Sequence, residues 1–159
     1  MGINIVLIEP EIPTNTGNIG RLSLASGSKL HLVKPFGFEI DDKRVKRAGL
    51  DYWKHLSPAT YESLDEFMEC HKGKKMAYFS SHAKQDYWKL DFEEDIFLIF
   101  GKESVGLPKE LIENNINTCY KIPMFSEKVR SLNLANAVGI VVYDGIRKMS
   151  ISNLETQHR

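Results

Sequence analysis

The sequence contains little cysteine and no excess charge of either sign. Its two cysteines, Cys70 and Cys119, lie far apart and have no cysteine or histidine neighbours at zinc-binding spacing. This excludes a disulfide framework and a structural zinc site. Lysine plus arginine and aspartate plus glutamate both number 21, so the formal net charge is zero. Because many nucleic-acid-binding proteins carry an overall positive charge, an RNA-binding function would here require a local basic patch.

Long hydrophobic runs are also absent. The most apolar later stretch, residues 132–142, contains two asparagines and is shorter than the ~20 residues that span a bilayer. The first residues form only a short apolar run, without the basic segment and small-residue cleavage site of a signal peptide. We therefore expect a cytoplasmic protein with reduced cysteines, no export signal and no membrane segment.

Short apolar runs separated by helical patterns predict an α/β fold. The runs show little alternation of apolar and polar residues, which is typical of strands covered on both faces in a parallel sheet. We predict a mainly parallel sheet with helices on both faces, in a single domain over residues 1–150, followed by a polar, frayed tail over residues 151–159. The predicted strands are Ile3–Ile8, Leu30–Val33, Met76–Phe79, Ile96–Phe100 and Cys119–Ile122.

The last helix is predicted at about Leu132–Met149, with Ser131 as its N-cap. Apolar residues, Val142 among them, cover more than half of its circumference, and a single stripe packed on the sheet would need fewer. The excess favours a homodimer formed through this helix, although burial in the core of the monomer would explain the same pattern. Pro108 predicts the start of the preceding helix, because proline is favoured in the first turn, where its missing N–H is not needed.

Three segments rich in glycine and polar residues follow predicted strands, where open α/β sheets bind their ligands. The first, residues 9–22, reads Glu-Pro-Glu-Ile-Pro-Thr-Asn-Thr-Gly-Asn-Ile-Gly-Arg-Leu. We interpret residues 15–20 as a loop before a helix, where glycines permit close backbone approach and amide groups attract anions. The glycine spacing matches neither a dinucleotide-binding fingerprint nor a P-loop, so a purely structural turn is the alternative.

The second segment, residues 97–108, reads Phe-Leu-Ile-Phe-Gly-Lys-Glu-Ser-Val-Gly-Leu-Pro. Gly101 and Gly106 leave room for a flat adenine or a ribose against the backbone, and Glu103 can accept hydrogen bonds from such a group. A tight connection between a strand and a helix is the alternative.

The third segment, residues 122–137, begins Ile-Pro-Met and ends Ser-Leu-Asn-Leu-Ala-Asn-Ala. Pro123 prevents a central strand from continuing, and Ser131 and Asn133 bring hydroxyl and amide groups to the next helix start. Asn133 and Asn136 would equally suit a helix surface or an interface.

In content, order and spacing, the three segments resemble the motifs of the SPOUT RNA methyltransferases, over residues 3–149. Residues 9–13 and the stretch Asp-Asp-Lys-Arg-Val-Lys-Arg-Ala-Gly-Leu-Asp-Tyr at 41–52 are further similar to TrmL-type tRNA (cytidine/uridine-34) 2′-O-methyltransferases. The resemblance implies methyl transfer from S-adenosylmethionine to the ribose 2′-hydroxyl of wobble nucleotide 34, a cytidine or modified uridine. The substrate would be the anticodon stem-loop of leucine tRNAs, and the product S-adenosylhomocysteine. The resemblance also implies a deep C-terminal trefoil knot, which general rules of chain topology would not predict.

Carried over position by position, the resemblance places the cofactor against Phe79, Gly101, Ile122 and Ser131. The polar side chains that it places at the catalytic pocket are Arg21, Asn15 and Asn133. Methyl transfer from a sulfonium mainly requires alignment of the 2′-oxygen and help in removing its proton, and no metal. A guanidinium keeps its proton up to pH ~12, so Arg21 suits a phosphate better than it suits the role of general base. Lys102 stands where some relatives have proline.

The candidate RNA-binding patch is a basic cluster formed by Lys43, Arg44, Lys46 and Arg47, with Arg147 and Lys148 as further candidates. Tyr52 and Trp53 beside it are candidates for stacking on bases, although aromatic residues in a loop more often complete a core. Neighbouring aspartates offset part of the charge, so a solvated helix face is the alternative. The histidines have no metal-ligand spacing and are interpreted as structural or surface residues. For the whole protein, a non-catalytic RNA-binding module and a SPOUT methyltransferase acting at another RNA site remain alternatives.

Overall fold

The computed structural model describes residues 2–157, without the side chains of residues 49, 50 and 154–157. Seven strands form one sheet in the order β3-β2-β1-β6-β4-β7-β5, and every described pair of strands is parallel. This confirms the predicted α/β class with a parallel sheet. The strands are β1 Asn4–Ile8, β2 Lys29–Val33, β3 Ala59–Tyr61, β4 Met76–Phe79, β5 Gln85–Asp86, β6 Phe97–Phe100 and β7 Cys119–Lys121.

Helices cover both faces of the sheet. Successive strand residues point to opposite faces, so Ile5 and Leu7 of β1 belong to one apolar core and Val6 and Ile8 to the other. Helices α1 and α5 pack on the first core, whereas α3 and α4 pack on the second. The α-helices are α1 Pro13–Ser26, α2 Lys43–Gly49, α3 Leu64–Cys70, α4 Lys109–Asn114 and α5 Leu134–Gln157, and short 3-10 helices span Leu50–His55, Tyr87–Lys89 and Ile116–Thr118.

The helix boundaries correct three sequence-based predictions. Helix α1 begins at Pro13, so residues 15–20 are helical and do not form the predicted loop. Helix α5 begins at Leu134, and its N-cap is Asn133 instead of Ser131, because the Asn133 Oδ1 accepts a hydrogen bond of 3.2 Å from the Asn136 amide. The helix continues to Gln157, so residues 151–157 extend it where a frayed tail was expected. Residues 158 and 159 of that tail lie outside the described residues.

Strand β7 lies between β4 and β5, although β4 and β5 are joined directly by residues 80–84. The backbone amide of Ser80 donates a hydrogen bond of 3.0 Å to the carbonyl oxygen of Tyr120 in β7. The 80–84 connection therefore crosses β7, a strand that the chain forms only later. None of the helices in the described part of the chain is both long and apolar enough to cross a membrane.

The polar side chains of Asn4, His31, Tyr61 and His71 form one series of close contacts beside the sheet. His31 on β2 is almost fully buried, with its Nε2 2.9 Å from the Asn4 Oδ1 and its Nδ1 2.8 Å from the Tyr61 hydroxyl. The same hydroxyl lies 2.8 Å from the Nε2 of His71. Burial lowers the pKa of His31 to about 4, so this histidine is neutral at physiological pH. The structural interpretation of His31 is confirmed.

Candidate active site

Three of the predicted cofactor residues lie at one edge of the sheet. Phe79 ends β4, Gly101 follows β6 and Ile122 follows β7, and these strands are neighbours in the order β6-β4-β7. Because parallel strands all end at the same edge, the three positions come together there. The ring of Phe79 stacks on that of Phe100, with centroids 4.8 Å apart, and Ile122 packs against the same core. Phe79, which is largely buried, and Ile122, which is partly buried, thus form an apolar wall at this edge, which suits the adenine ring of an adenosyl group.

Gly101 is required by the protein's own backbone. A Cβ at this position would lie 2.1 Å from the carbonyl carbon of Gly106 and 2.2 Å from the amide nitrogen of Leu107. The turn is closed by a hydrogen bond of 2.8 Å from the Gly106 amide to the carbonyl oxygen of Lys102. The sequence-based reason for this glycine, space for a ligand, is therefore corrected. Gly106 has φ +73° and open space around its α-carbon.

Ser131 lies in the segment of residues 122–133 that joins β7 to α5, and it is exposed. This segment also exposes apolar side chains, including Phe125, which is 89% exposed. The fourth predicted cofactor residue thus lies on a solvent-facing connection that begins at the apolar wall.

Glu103 joins the first and second segments. Its Oε2 accepts a hydrogen bond of 2.8 Å from the amide of Glu11, and its Oε1 accepts bonds of 3.0 Å from the amide of Ile12 and 3.3 Å from the Asn15 Nδ2. These amides precede or begin α1, where the helix leaves backbone N–H groups without partners. The sequence indicated Glu103 as a hydrogen-bond acceptor, but the donors here are within the chain.

The third segment joins the same network through Asn133. Its Nδ2 donates a hydrogen bond of 3.0 Å to the Oδ1 of Asn15, which is buried. All three segments therefore meet through Glu103, Asn15 and Asn133. Asn133 itself is exposed, so its remaining amide proton can reach a ligand.

A second set of contacts links the residues that follow β1 to the residues that follow β6. The Oε1 of Glu11 accepts hydrogen bonds from the amide and the hydroxyl of Ser104, at 2.9 and 2.6 Å. These bonds from Ser104 lower the pKa of the Glu11 carboxyl. Lys102 lies 3.5 Å from the carboxylate of Glu9, which adopts a positive φ of 51° directly after β1. Nothing in the sequence pattern indicated that Glu9 and Glu11 bind the second segment.

Arg21 does not join the asparagine pair. It lies in the third turn of α1, six residues after Asn15, which corresponds to about 9 Å along the helix axis and a different side of the helix. Its guanidinium carbon lies 5.1 Å from the centre of the Tyr52 ring. The position predicted for Arg21, at the start of a helix that follows a loop over residues 15–20, is thus corrected.

The four basic residues of the predicted patch are all exposed on α2, whose Val45 is buried. Arg44 pairs with Asp42 at 3.3 Å and Lys46 approaches Asp41 at 3.9 Å. Such exposed pairs are weak and exchange readily for other partners. We call the exposed face formed by Lys43, Arg44, Lys46 and Arg47 the α2 basic face.

The other candidates for RNA contact have different surroundings. Arg147 and Lys148 lie on α5 and share Asp144, at 2.8 and 3.5 Å. Trp53 packs on α1, since a Cβ at Gly20 would lie 3.2 Å from its ring. Tyr52 is 46% exposed and is the aromatic residue of the two that remains accessible.

Known proteins match this chain over nearly its whole length. The sequence profile of the SpoU rRNA Methylase family matches residues 2–143. A Geobacillus stearothermophilus protein provisionally named tRNA (cytidine(34)-2′-O)-methyltransferase is 45% identical over 157 residues, which is 97% of this chain and 99% of that protein. The tRNA (cytidine(34)-2′-O)-methyltransferase of Saccharophagus degradans is 40% identical over 150 residues, which is 94% of this chain and 97% of that protein. A solved structure described as giving insights into the 2-OH methylation of C/U34 on tRNA has a TM-score of 0.89 and 40% identity, and covers 94% of this chain and 97% of that one.

Proposed function

This chain belongs to the SpoU rRNA Methylase family, and from that premise we propose that it methylates the ribose 2′-hydroxyl of wobble nucleotide 34 in tRNA. The methyl donor is S-adenosylmethionine, the product is S-adenosylhomocysteine, and the acceptor is a cytidine or modified uridine of leucine tRNAs. Two relatives that match nearly the whole chain are named for this activity at cytidine 34. The observation that carries the proposal is the meeting of all three segments through Glu103, Asn15 and Asn133.

The residues at the sheet edge fit the proposed cofactor. Phe79 and Ile122 form an apolar wall for the adenine, and the segment that carries Ser131 can cover the ligand. S-adenosylmethionine supplies a methyl group that is already activated by a positively charged sulfur, and the proposed mechanism uses no metal. In the described part of the chain, no three acidic, histidine or cysteine side chains are grouped so as to hold a metal ion.

The side chains of the protein would then align the acceptor. Asn133 would hold the ribose with its free amide proton, while buried Asn15 and Glu103 fix its orientation. Arg21 would grip a phosphate of the RNA with its guanidinium fork. Because Arg21 and Asn15 are separated along α1, this phosphate contact and the ribose contact act on different parts of the RNA.

The α2 basic face is the proposed contact for the anticodon stem-loop. All four cations are exposed, and the two aspartates that neutralise part of their charge lie at the helix start. Phosphate groups would replace these weak internal partners on binding. A cytoplasmic location is also part of the proposal, because the proposed substrate is a tRNA.

A homodimer through α5 is part of the proposal. Ile140, Tyr143 and Ile151 expose apolar surface at spacings that place them on one side of the helix, and Tyr143 is 50% exposed. Val142 belongs to the other side and is fully buried in the monomer, so it is not an interface residue. The exposed stripe is the part of the predicted apolar excess that still needs a partner.

The deep trefoil knot is also proposed. It is supported by the position of β7 between β4 and β5, because the 80–84 connection and β7 must pass each other there. Residues 122–133 would complete the knot before α5 begins.

The proposed function is tested by mapping ribose methylation across total tRNA from cells with and without this protein. Loss of the methyl group at nucleotide 34 of leucine tRNAs alone is the expected result. Loss at another RNA site would keep the methyltransferase activity and change the substrate. Calorimetry with S-adenosylmethionine alone separates both outcomes from a non-catalytic RNA-binding module, which would not bind it.

A further inference from the structure

The guanidinium of Arg21 lies over the aromatic ring of Tyr52. The distance of 5.1 Å between the guanidinium carbon and the ring centre lies within the ~6 Å at which a cation is attracted to an aromatic face. Among the described side chains, no carboxylate forms an ion pair with Arg21. Among the described residues, Tyr52 is therefore the one whose side chain favours a particular orientation of the exposed Arg21 guanidinium.

The segment that carries Tyr52 packs against α1. Tyr52 belongs to the 3-10 helix Leu50–His55, and the residues that follow it press on α1 next to Arg21. A Cβ at Gly20 would lie 2.7 Å from the Leu56 Cδ1 and 3.2 Å from the Trp53 ring. Gly20 thus allows this segment to approach α1 closely, directly beside Arg21 in the sequence.

We propose that Tyr52 is a positioning residue, which holds the Arg21 guanidinium in the orientation that grips an RNA phosphate during methyl transfer. This inference rests on the proposed function and assigns Tyr52 a role other than stacking on a base. A long arginine side chain loses conformational entropy when it is ordered by a ligand. A guanidinium that already lies over a ring has lost part of that freedom before the transition state forms, so a phosphate contact made only in the transition state orders it at a smaller cost and raises the rate without changing the affinity for RNA.

The α2 basic face makes the position of Tyr52 relevant to RNA. Helix α2 runs directly into the 3-10 helix that carries Tyr52. RNA bound on the α2 basic face would therefore lie next to the element that orients Arg21. One continuous segment would then bind the stem-loop and position the phosphate contact.

A double-mutant cycle tests this role. Tyr52→Leu should lower the single-turnover methylation rate at saturating anticodon stem-loop by about two- to fivefold, whereas Tyr52→Phe, which keeps the ring, should not. In an Arg21→Ala background, Tyr52→Leu should have no further effect. In both backgrounds, Tyr52→Leu should leave the dissociation constant of the stem-loop unchanged. Trp88→Leu removes another exposed aromatic ring, which is 57% exposed, and serves as the matched control.

An equal loss of rate in the Arg21→Ala background, or weaker stem-loop binding in both backgrounds, would overturn the proposal and favour base stacking. A second measurement needs no RNA. The side-chain methylene protons of Arg21 should show ring-current shifts in the NMR spectrum, which Tyr52→Leu removes and Tyr52→Phe keeps. Unchanged Arg21 shifts in Tyr52→Leu would refute this inference alone, whereas a wild-type protein that methylates no tRNA would refute the proposed function.

Discussion

The side-chain amide of Asn133 donates a hydrogen bond of 3.0 Å from its Nδ2 to the Oδ1 of Asn15, 118 residues earlier in the chain. The bond joins the start of α5 to the first turn of α1. Since Asn133 also caps α5, one side chain serves the fold and, in the proposed mechanism, the ribose. These two roles can be separated by substitution.

Asn133→Ser should keep the helix cap and remove the amide donor, because serine is an equally good N-cap residue. Because the bond to the buried Asn15 is lost, we expect the free energy of unfolding to fall by about 0.5–1.5 kcal/mol, and the single-turnover methylation rate to fall about tenfold, as for the loss of one hydrogen bond. Asn136→Ser, at an exposed position in the first turn of α5, is the control and should retain the rate. A wild-type rate in the Asn133→Ser variant would remove Asn133 from the mechanism.

Glu103→Gln should destabilise the fold. Glutamine keeps one acceptor oxygen but turns an NH₂ group towards backbone amides that need an acceptor. We expect a loss of about 1.5–3 kcal/mol in the free energy of unfolding, measured by urea denaturation. Glu94→Gln, at an exposed position, should change it by less than about 0.5 kcal/mol. Equal stability of the two variants would show that the Glu103 bonds do not hold the segments together.

Gly101 and Gly139 should respond in opposite ways to alanine. Gly101→Ala places a Cβ 2.1 Å from backbone, so the turn must open and the melting temperature should fall together with cofactor binding. At Gly139 in α5 the nearest atom to an added Cβ is the Leu22 Cδ2, at 3.9 Å. Gly139→Ala should therefore stabilise the helix by up to about 1 kcal/mol. A stable Gly101→Ala variant that lacks only cofactor affinity would restore the ligand as the reason for this glycine.

Aspartate substitutions on the two sides of α5 should separate association from folding. Tyr143→Asp, on the exposed stripe, should shift the mass measured by light scattering from dimer to monomer while the circular dichroism spectrum is kept. Val142→Asp buries an unpaired charge in the monomer and should prevent folding. A wild-type protein that is monomeric at micromolar concentration would contradict the proposed dimer.

The stability should fall on acidification because of His31. Its pKa is about 4 in the folded protein and about 6.5 in an unfolded chain. The unfolded state therefore binds the proton more readily, and the contribution is fully present above pH ~6.5 and is lost as the pH falls towards 4. Between pH 8 and 5 we expect a loss of about 2 kcal/mol from this residue, measured by urea denaturation. His31→Gln should flatten this part of the pH profile, whereas His82→Gln, at an exposed position, should not.

The sequence predicts the central strands and misses the edge strands for a physical reason. β1, β2, β4, β6 and β7 are apolar runs because both faces of the middle of the sheet are covered. By contrast, β3 and β5 are the two edge strands, and neither has a buried residue. Strands without a buried residue leave no apolar run in the sequence, and their pairing depends on the neighbouring strand.

The candidate site is predicted in its parts but not in its arrangement. Phe79, Gly101 and Ile122 meet because their strands are neighbours, and the order β6-β4-β7 results from tertiary packing. The misplacement of Arg21 comes from Gly20, which we interpreted as a loop residue. This glycine lies in the middle of α1, where the absence of a side chain admits Leu56 and Trp53.

The central claim is most directly tested with purified protein, S-adenosylmethionine and two leucine tRNA anticodon stem-loops that differ only at nucleotide 34. One stem-loop carries a ribose 2′-hydroxyl at that nucleotide and the other a 2′-deoxyribose. Mass spectrometry of the digested RNA should show one added methyl group at nucleotide 34 of the first stem-loop and none on the second. Methylation of both stem-loops, or of neither, would contradict the proposed function.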